Sequence, residues 1–166
     1  MATQRVFISY RRRDSGQIVE RMFDVLATLF GPENIFRDID SIDTGVRFDA
    51  AIKRAIKQCN VFLAVIGDSW LSAESEDGTR RLDRPDDPVR LEIETALQNQ
   101  IPAIPVLVHG GKMPDTIDLP EVLQQLSRIN AFVINDSSFH SDLRRLCGSL
   151  RDYDPAAFAR KMGPAR

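Results

Sequence analysis

Cysteine, histidine, tryptophan and lysine are all scarce in this chain, and each shortage closes a class of explanation. Two cysteines in 166 residues, Cys59 and Cys147, make no disulfide framework, and neither lies in a CxxC or beside a suitably spaced histidine. The only two histidines, His109 and His140, are far apart in sequence, so a zinc site has no support and no metal is expected. A domain of this length buries about 70% of the surface its unfolded chain exposes and needs no such staple. No apolar run approaches the ~20 residues of a membrane-spanning helix. The opening MATQRVFISYRRRD carries charges where a signal peptide needs an apolar stretch. The expectation is a cytoplasmic protein in a reducing compartment, with no membrane partner. Lysine supplies four of the 22 basic residues and arginine 18, against 24 acidic ones. A formal charge of -2 and a pI near 5.7 argue against a general grip on nucleic acid, whose affinity comes mainly from neutralised phosphates. Arginine forks suit bidentate pairing with carboxylate or phosphate.

With 43% hydrophobic and 28% charged residues, the composition is that of one globular domain, and it excludes disorder, collagen and coiled coil. Short β-branched and aromatic runs alternate with longer segments of helical period, the pattern of an α/β domain with a parallel sheet. Val6 to Ile8 reads as a first strand and Ser15 to Phe30 as a helix stopped by Gly31-Pro32. Ile35 to Arg37 is a second strand, followed by a polar loop closed at Gly45 and a helix from about Val46 to Lys57. The wholly apolar Val61 to Ile66 has the character of a central strand covered on both faces. A long charged excursion, Ser72 to Asp87, precedes a helix from Pro88 to about Asn99, with Asp87 as N-cap and Pro88 as first helical residue. Strands at Ile104–Val108 and Ala131–Ile134 and helices at Leu119–Leu126 and Phe139–Leu150 complete five strands and five helices. The domain is expected over residues 1–150, with 151–166 as a tail or linker.

In an open parallel sheet, ligands bind beyond the carboxyl ends of the strands. Those ends deliver Tyr10-Arg11-Arg12-Arg13-Asp14, then Arg37-Asp38-Ile39-Asp40, then Gly67-Asp68-Ser69-Trp70. Three consecutive arginines beside a helix start either hold an anion such as a diphosphate or lie solvated. The absence of GxGxxG after the first strand and of GxxxxGK[ST] anywhere excludes a Rossmann dinucleotide site and a P-loop. A phosphorylated receiver, suggested by Asp68 and Lys112, ranks low because arginines stand where its magnesium needs acids.

Glu92 is the foremost candidate carboxylate. Val89, Ile93, Ala96 and Leu97 form one apolar stripe with Glu92 on its margin, while Glu94 points farther toward water. Its plain reading is an early-turn acid favoured by the helix dipole, and its functional reading is a crevice carboxylate. Trp70, the only tryptophan, is either a core anchor or a face that stacks on a heterocycle. Phe48 is read as core.

Together these residues resemble the Toll/interleukin-1 receptor (TIR) domain family over nearly the whole chain. Phe7-Ile8-Ser9-Tyr10-Arg11-Arg12 is similar to the family's box 1, Phe36-Arg37-Asp38 through Gly45 to its box 2 and BB loop, and Arg90 to Leu97 to the EI..AL helix of NAD+-cleaving members. The resemblance implies a flavodoxin-like, five-stranded parallel sheet with helices on both faces. It also implies cleavage of NAD+ to nicotinamide and ADP-ribose or a cyclic ADP-ribose, activated by self-assembly, in signalling, innate immunity or antiviral defence. NAD+ is then substrate, with no separate cofactor. By this resemblance Glu92 is catalytic, and Tyr10, Arg11, Arg12, Asp38, Gly45, Phe48 and Trp70 surround the substrate. Asp43, Thr44 and Gly45 mediate contact with other TIR domains in a homo-oligomer or filament.

Two departures stand out. Pro88 occupies the place, four residues before Glu92, where family enzymes often carry tryptophan, and the loop IDSIDTG lacks the proline of many receptor and adaptor members. The first bears on the catalytic reading, since ring stacking from that point is lost unless Trp70 substitutes; the second leans away from a receptor adaptor, and the resemblance favours a bacterial-type domain. The competing reading is a non-catalytic scaffold that signals by TIR–TIR contact.

Overall fold

Strands with apolar residues on both faces must be covered on both, and the chain does this with helices that return each strand parallel to the last. The computed structural model describes residues 4–37 and 47–152. Along it run β1 (Val6–Ser9), α1 (Arg12–Phe30), β2 (Ile35–Arg37), α2 (Phe48–Lys57), β3 (Val61–Ile66), α3 (Pro88–Gln98), β4 (Ala103–Leu107), β5 (Phe132–Val133) and α4 (Phe139–Arg151). All five strands pair in parallel in the order β2-β1-β3-β4-β5, so the order reverses at β1 and opens a crevice beyond its carboxyl end. The expected α/β class and sheet are therefore present.

Strand parity sorts the core into two halves. Val6, Ile8, Leu63 and Val65 face α1 and α4, where Ile18, Met22, Leu26, Leu143 and Leu146 cover them. Phe7, Phe62, Ala64 and Ile66 face α2 and α3, against Ile52, Ile56, Ile93 and Ala96. Phe7 and Phe62 stack across β1 and β3 with ring centroids 5.5 Å apart.

Several elements differ from the sequence expectation. α1 begins at Arg12 rather than Ser15: the Arg11 carbonyl accepts from the N–H groups of Asp14 and Ser15, and Ser15, at φ -142°, breaks the turn from the main helix. The segment expected to be a short α-helix from Leu119 is a 3-10 helix over Glu121–Arg128. Its buried residues, Leu123 and Leu126, are three apart, the repeat of a 3-10 turn, and Pro120 precedes it. β4 starts one residue early, and Pro105 stands just before the β4–β5 pairing begins at Val106, where a missing N–H is tolerated. α4 continues to Arg151; the tail from residue 153 lies outside the described residues.

Candidate functional site

β1 leaves the sheet in extended conformation, so Ser9 and Arg11 share the side of Phe7 and face α3. Asp87 caps α3 as the Asp-Pro pair foretold, accepting from the Arg90 N–H at 3.2 Å. The same carboxylate takes a fork from Arg11: Nη1 donates to Oδ1 at 3.0 Å and Nη2 to Oδ2 at 2.8 Å. Arg11 Nε donates to the Trp70 carbonyl at 3.2 Å. Only 5% of Arg11 is exposed and 3% of Asp87.

This corrects one expectation from the sequence. Arg11 does not present a guanidinium to the crevice for a diphosphate; its charge is spent inside the protein on the first turn of α3. Trp70 is corrected with it: the residue is 1% exposed and packs in the core beneath α2 and α3, so the anchor reading holds and no ring face is offered.

Glu92 lies one turn beyond the cap and is buried, 7% exposed, on the inner side of α3. Ser9 Oγ donates to its Oε1 at 3.0 Å. A carboxylate at the end of the sheet, held by a strand residue 83 positions away, is a placed group rather than a solvated helix acid. Glu94, by contrast, accepts from Gln98 Nε2 on the outer part of the helix.

The crevice floor after β3 is fixed from α1. Asp14 accepts from the N–H groups of Gly67 and Ser69, both at 2.8 Å. A Cβ on Gly67 would stand 2.5 Å from Asp14 Oδ1, so only glycine admits this approach. The charged excursion before α3 is a folded loop pinned by the fully buried Leu82 and a bridge between Glu74 and Arg80. It encloses an open hollow of about 400 Å³ lined by Ser75, Asp77, Arg81, Arg84, Asp86 and Asp87 among others. Hydrogen bonds hold three of its acids below the usual carboxylate range: from Thr79 to Asp77, Arg80 to Asp83 and Arg84 to Asp86.

The other candidates fall into distinct places. Tyr10, of opposite parity to Ser9, is half-buried against the α1 side of the core. Arg12 is exposed at the start of α1. Phe48 is 41% exposed and not core: it shares a helical face with Ile52 and Ile56, but as the first residue of α2 it overhangs the core's edge. Asp38, Asp43, Thr44 and Gly45 lie outside the described residues. The structure thus brings Glu92, Ser9, Arg11 and Asp87 together, and sequence reasoning missed Ser9 and the Arg11–Asp87 pairing. The missed signal was a polar residue ending an apolar strand run, in phase with an arginine two residues on. Among the described residues no group of three or more His, Cys, Asp or Glu side chains could hold a metal ion, and no helix is long and apolar enough to cross a membrane.

Comparison with known proteins agrees with this architecture. The family model described as TIR domain matches residues 6–147. Among solved structures, the TIR domains of the activated Roq1 resistosome, which directly recognises the pathogen effector XopQ, align with a TM-score of 0.63 at 13% identity, over 89% of this chain and 99% of that one. A metazoan TIR-STING receptor from C. gigas aligns with a TM-score of 0.53 at 18% identity, over 85% of this chain but only 38% of the receptor. At such identities the likeness is one of fold. A search of curated proteins gives no match.

Proposed function

The chain belongs to the TIR domain family, and from that premise we propose that it cleaves the nicotinamide–ribose bond of NAD+ with Glu92 as the catalytic carboxylate. The observation that carries the reading is the Glu92 side chain itself: a buried acid at the carboxyl edge of the sheet, oriented by Ser9.

The chemistry asks little more of the protein. Nicotinamide is cationic in NAD+ and neutral once released, so the C1′–N bond breaks with its electron pair going to the ring and no acid is needed. Positive charge develops on the ribose, and a carboxylate placed before the reaction stabilises it where water is scarce. Water then adds to C1′ and loses a proton to give ADP-ribose, or an adenine nitrogen adds to give a cyclic product. Arg12 takes the role at the diphosphate that Arg11 cannot, and Tyr10 and the overhanging Phe48 offer rings to the bases. Asp38 and Gly45 complete the substrate set. NAD+ is substrate, with no resident cofactor. Asp43, Thr44 and Gly45 join neighbouring TIR domains into the assembly that activates cleavage, within a cytoplasmic signalling or defence response.

The test is nicotinamide release from NAD+ by concentrated, crowded protein, comparing wild type with Glu92→Ala. Release that depends on Glu92 supports the reading, and equal release from both removes Glu92 from the chemistry. A scaffold without catalysis gives instead no release, with self-association that survives Glu92→Ala and fails when Asp43 to Gly45 are altered.

A further inference from the structure

Ser9 is a polar side chain at the end of a four-residue strand whose other members, Val6, Phe7 and Ile8, are apolar, and it is 1% exposed. A hydroxyl buried this deeply costs free energy unless it is bonded. Serine can satisfy itself locally, on its own or a neighbouring backbone group. Here it reaches instead across to α3 and donates to Glu92 Oε1 at 3.0 Å.

A second tie lies two residues along the same strand exit, from Arg11 to Asp87. The spacings match: two extended residues span ~6.6 Å, and the five residues from Asp87 to Glu92 rise ~7.5 Å along a helix. The strand exit therefore grips α3 at its cap and again one turn on. The first grip fixes the helix against sliding along the strand. The second acts on the side chain, fixing one oxygen of a carboxylate carried on three torsions.

We propose that Ser9 is a positioning residue for bond cleavage: its hydroxyl fixes Glu92 Oε1 so that the carboxylate meets the ribose in one orientation, in the helix register set by Arg11 and Asp87. This rests on the reading of Glu92 as the catalytic group. A displacement of about 1 Å at a reacting group costs on the order of 100-fold in rate, so loss of the tether is felt in turnover.

The experiment compares wild type, Ser9→Ala, Ser9→Thr, Ser9→Cys and Glu92→Gln for nicotinamide release in the same assembled form, with thermal melting of each. The expected result is a kcat about 10- to 100-fold lower in Ser9→Ala with KM within about twofold, as for a group acting on orientation alone. Ser9→Thr, which keeps the hydroxyl, restores most of the turnover; should its extra methyl lower the melting point, Ser9→Cys, close in size and a weak donor, falls between serine and alanine. Ser9→Ala made in the Glu92→Gln background lowers the residual rate no further. A wild-type kcat in Ser9→Ala beside an inactive Glu92→Gln overturns the role of Ser9 and leaves that of Glu92 standing. A fully active Glu92→Gln, or a wild type without release, overturns both.

Discussion

Replacing Asp87 by alanine removes three acceptor contacts at once: the forks from Arg11 Nη1 and Nη2 at 3.0 and 2.8 Å, and the cap of the Arg90 N–H at 3.2 Å. The cap alone contributes about 1 kcal/mol. The larger cost is the guanidinium left behind. Arg11 keeps its bond to the Trp70 carbonyl, but its charge then sits in a space closed to water, and breaking a buried pair from one side costs about 3–5 kcal/mol. Arg11→Met is the milder change. The stranded Asp87 still has the Arg90 N–H, and the half-exposed Arg81, whose Nε already lies 4.0 Å from Oδ1, can swing to it. We expect about 2–3 kcal/mol for that variant, below the value for Asp87→Ala because a replacement cation is at hand.

The double variant Arg11→Met/Asp87→Ser separates pairing from packing. It buries no lone charge, and serine keeps a cap, so its expected cost is about 1–2 kcal/mol, less than either single change. Urea unfolding followed by the emission of Trp70, the only tryptophan and a buried one, reads all four proteins. In melting temperature the Asp87→Ala loss amounts to roughly 8–15 °C for a domain of this size. Single variants that cost under about 1 kcal/mol, or a double variant equal to their sum, would refute the reasoning.

Asp14 and Gly67 form a second coupled pair: Gly67→Ala drives a Cβ into the Asp14 carboxylate and is expected to cost about 1–3 kcal/mol, but markedly less in an Asp14→Ala background where the clash is gone. Asp14→Ala should also speed hydrogen exchange at the Gly67 and Ser69 amides, and equal thermal shifts for Gly67→Ala in both backgrounds would disprove the contact. Asp142 gives a pH signature. The Ser138 hydroxyl at 2.7 Å and the Asn135 N–H at 2.9 Å hold its carboxyl below the usual range, aided by the Arg145 charge. With the folded pKa below the unfolded value of about 3.9, its stabilisation is present above that value and lost as pH falls through the folded pKa. The stability gap between wild type and Asp142→Asn should therefore narrow below about pH 4, and a gap constant from pH 7 to pH 2 contradicts the assignment.

The elements most legible in the sequence were those whose cause is local. Val61–Ile66 is a strand with the expected bounds because six apolar residues bounded by Asn60 and Gly67 suit little except a strand buried on both faces. α3 starts where Asp87-Pro88 says it must, since both residues act within the first turn. The 3-10 segment was harder to see. Leu119, Leu123 and Leu126 satisfy a helical spacing of three and four, and only the added Ile129, partly buried, shows that the repeat is three. Phe48 failed for a different reason: its face was read correctly, but where a helix runs past the edge of its sheet is a matter of tertiary geometry.

The arginine run shows how a site residue can be chemically apt and still wrongly placed. Arg11 and Arg12 are equivalent by composition, but Arg11 belongs to the extended exit, where alternate residues face opposite sides, whereas Arg12 opens α1. Phe7, already recognisable as an inward residue of β1, shares its side with Ser9 and Arg11, while Val6 and Ile8 share theirs with Tyr10. Continuing that count by two residues assigns Arg11 to the interior, where it needs a carboxylate, and Asp87 at the neighbouring helix start is the acid whose capping role already holds it at the right place. The same count brings Ser9 under Glu92. One parity therefore settles that Arg11 is the arginine held inside the fold and that the Ser9 hydroxyl meets the carboxylate. A one-residue insertion between Ile8 and Ser9 would turn both Ser9 and Arg11 away from α3, and that coupling ties the proposed chemistry to the register of β1.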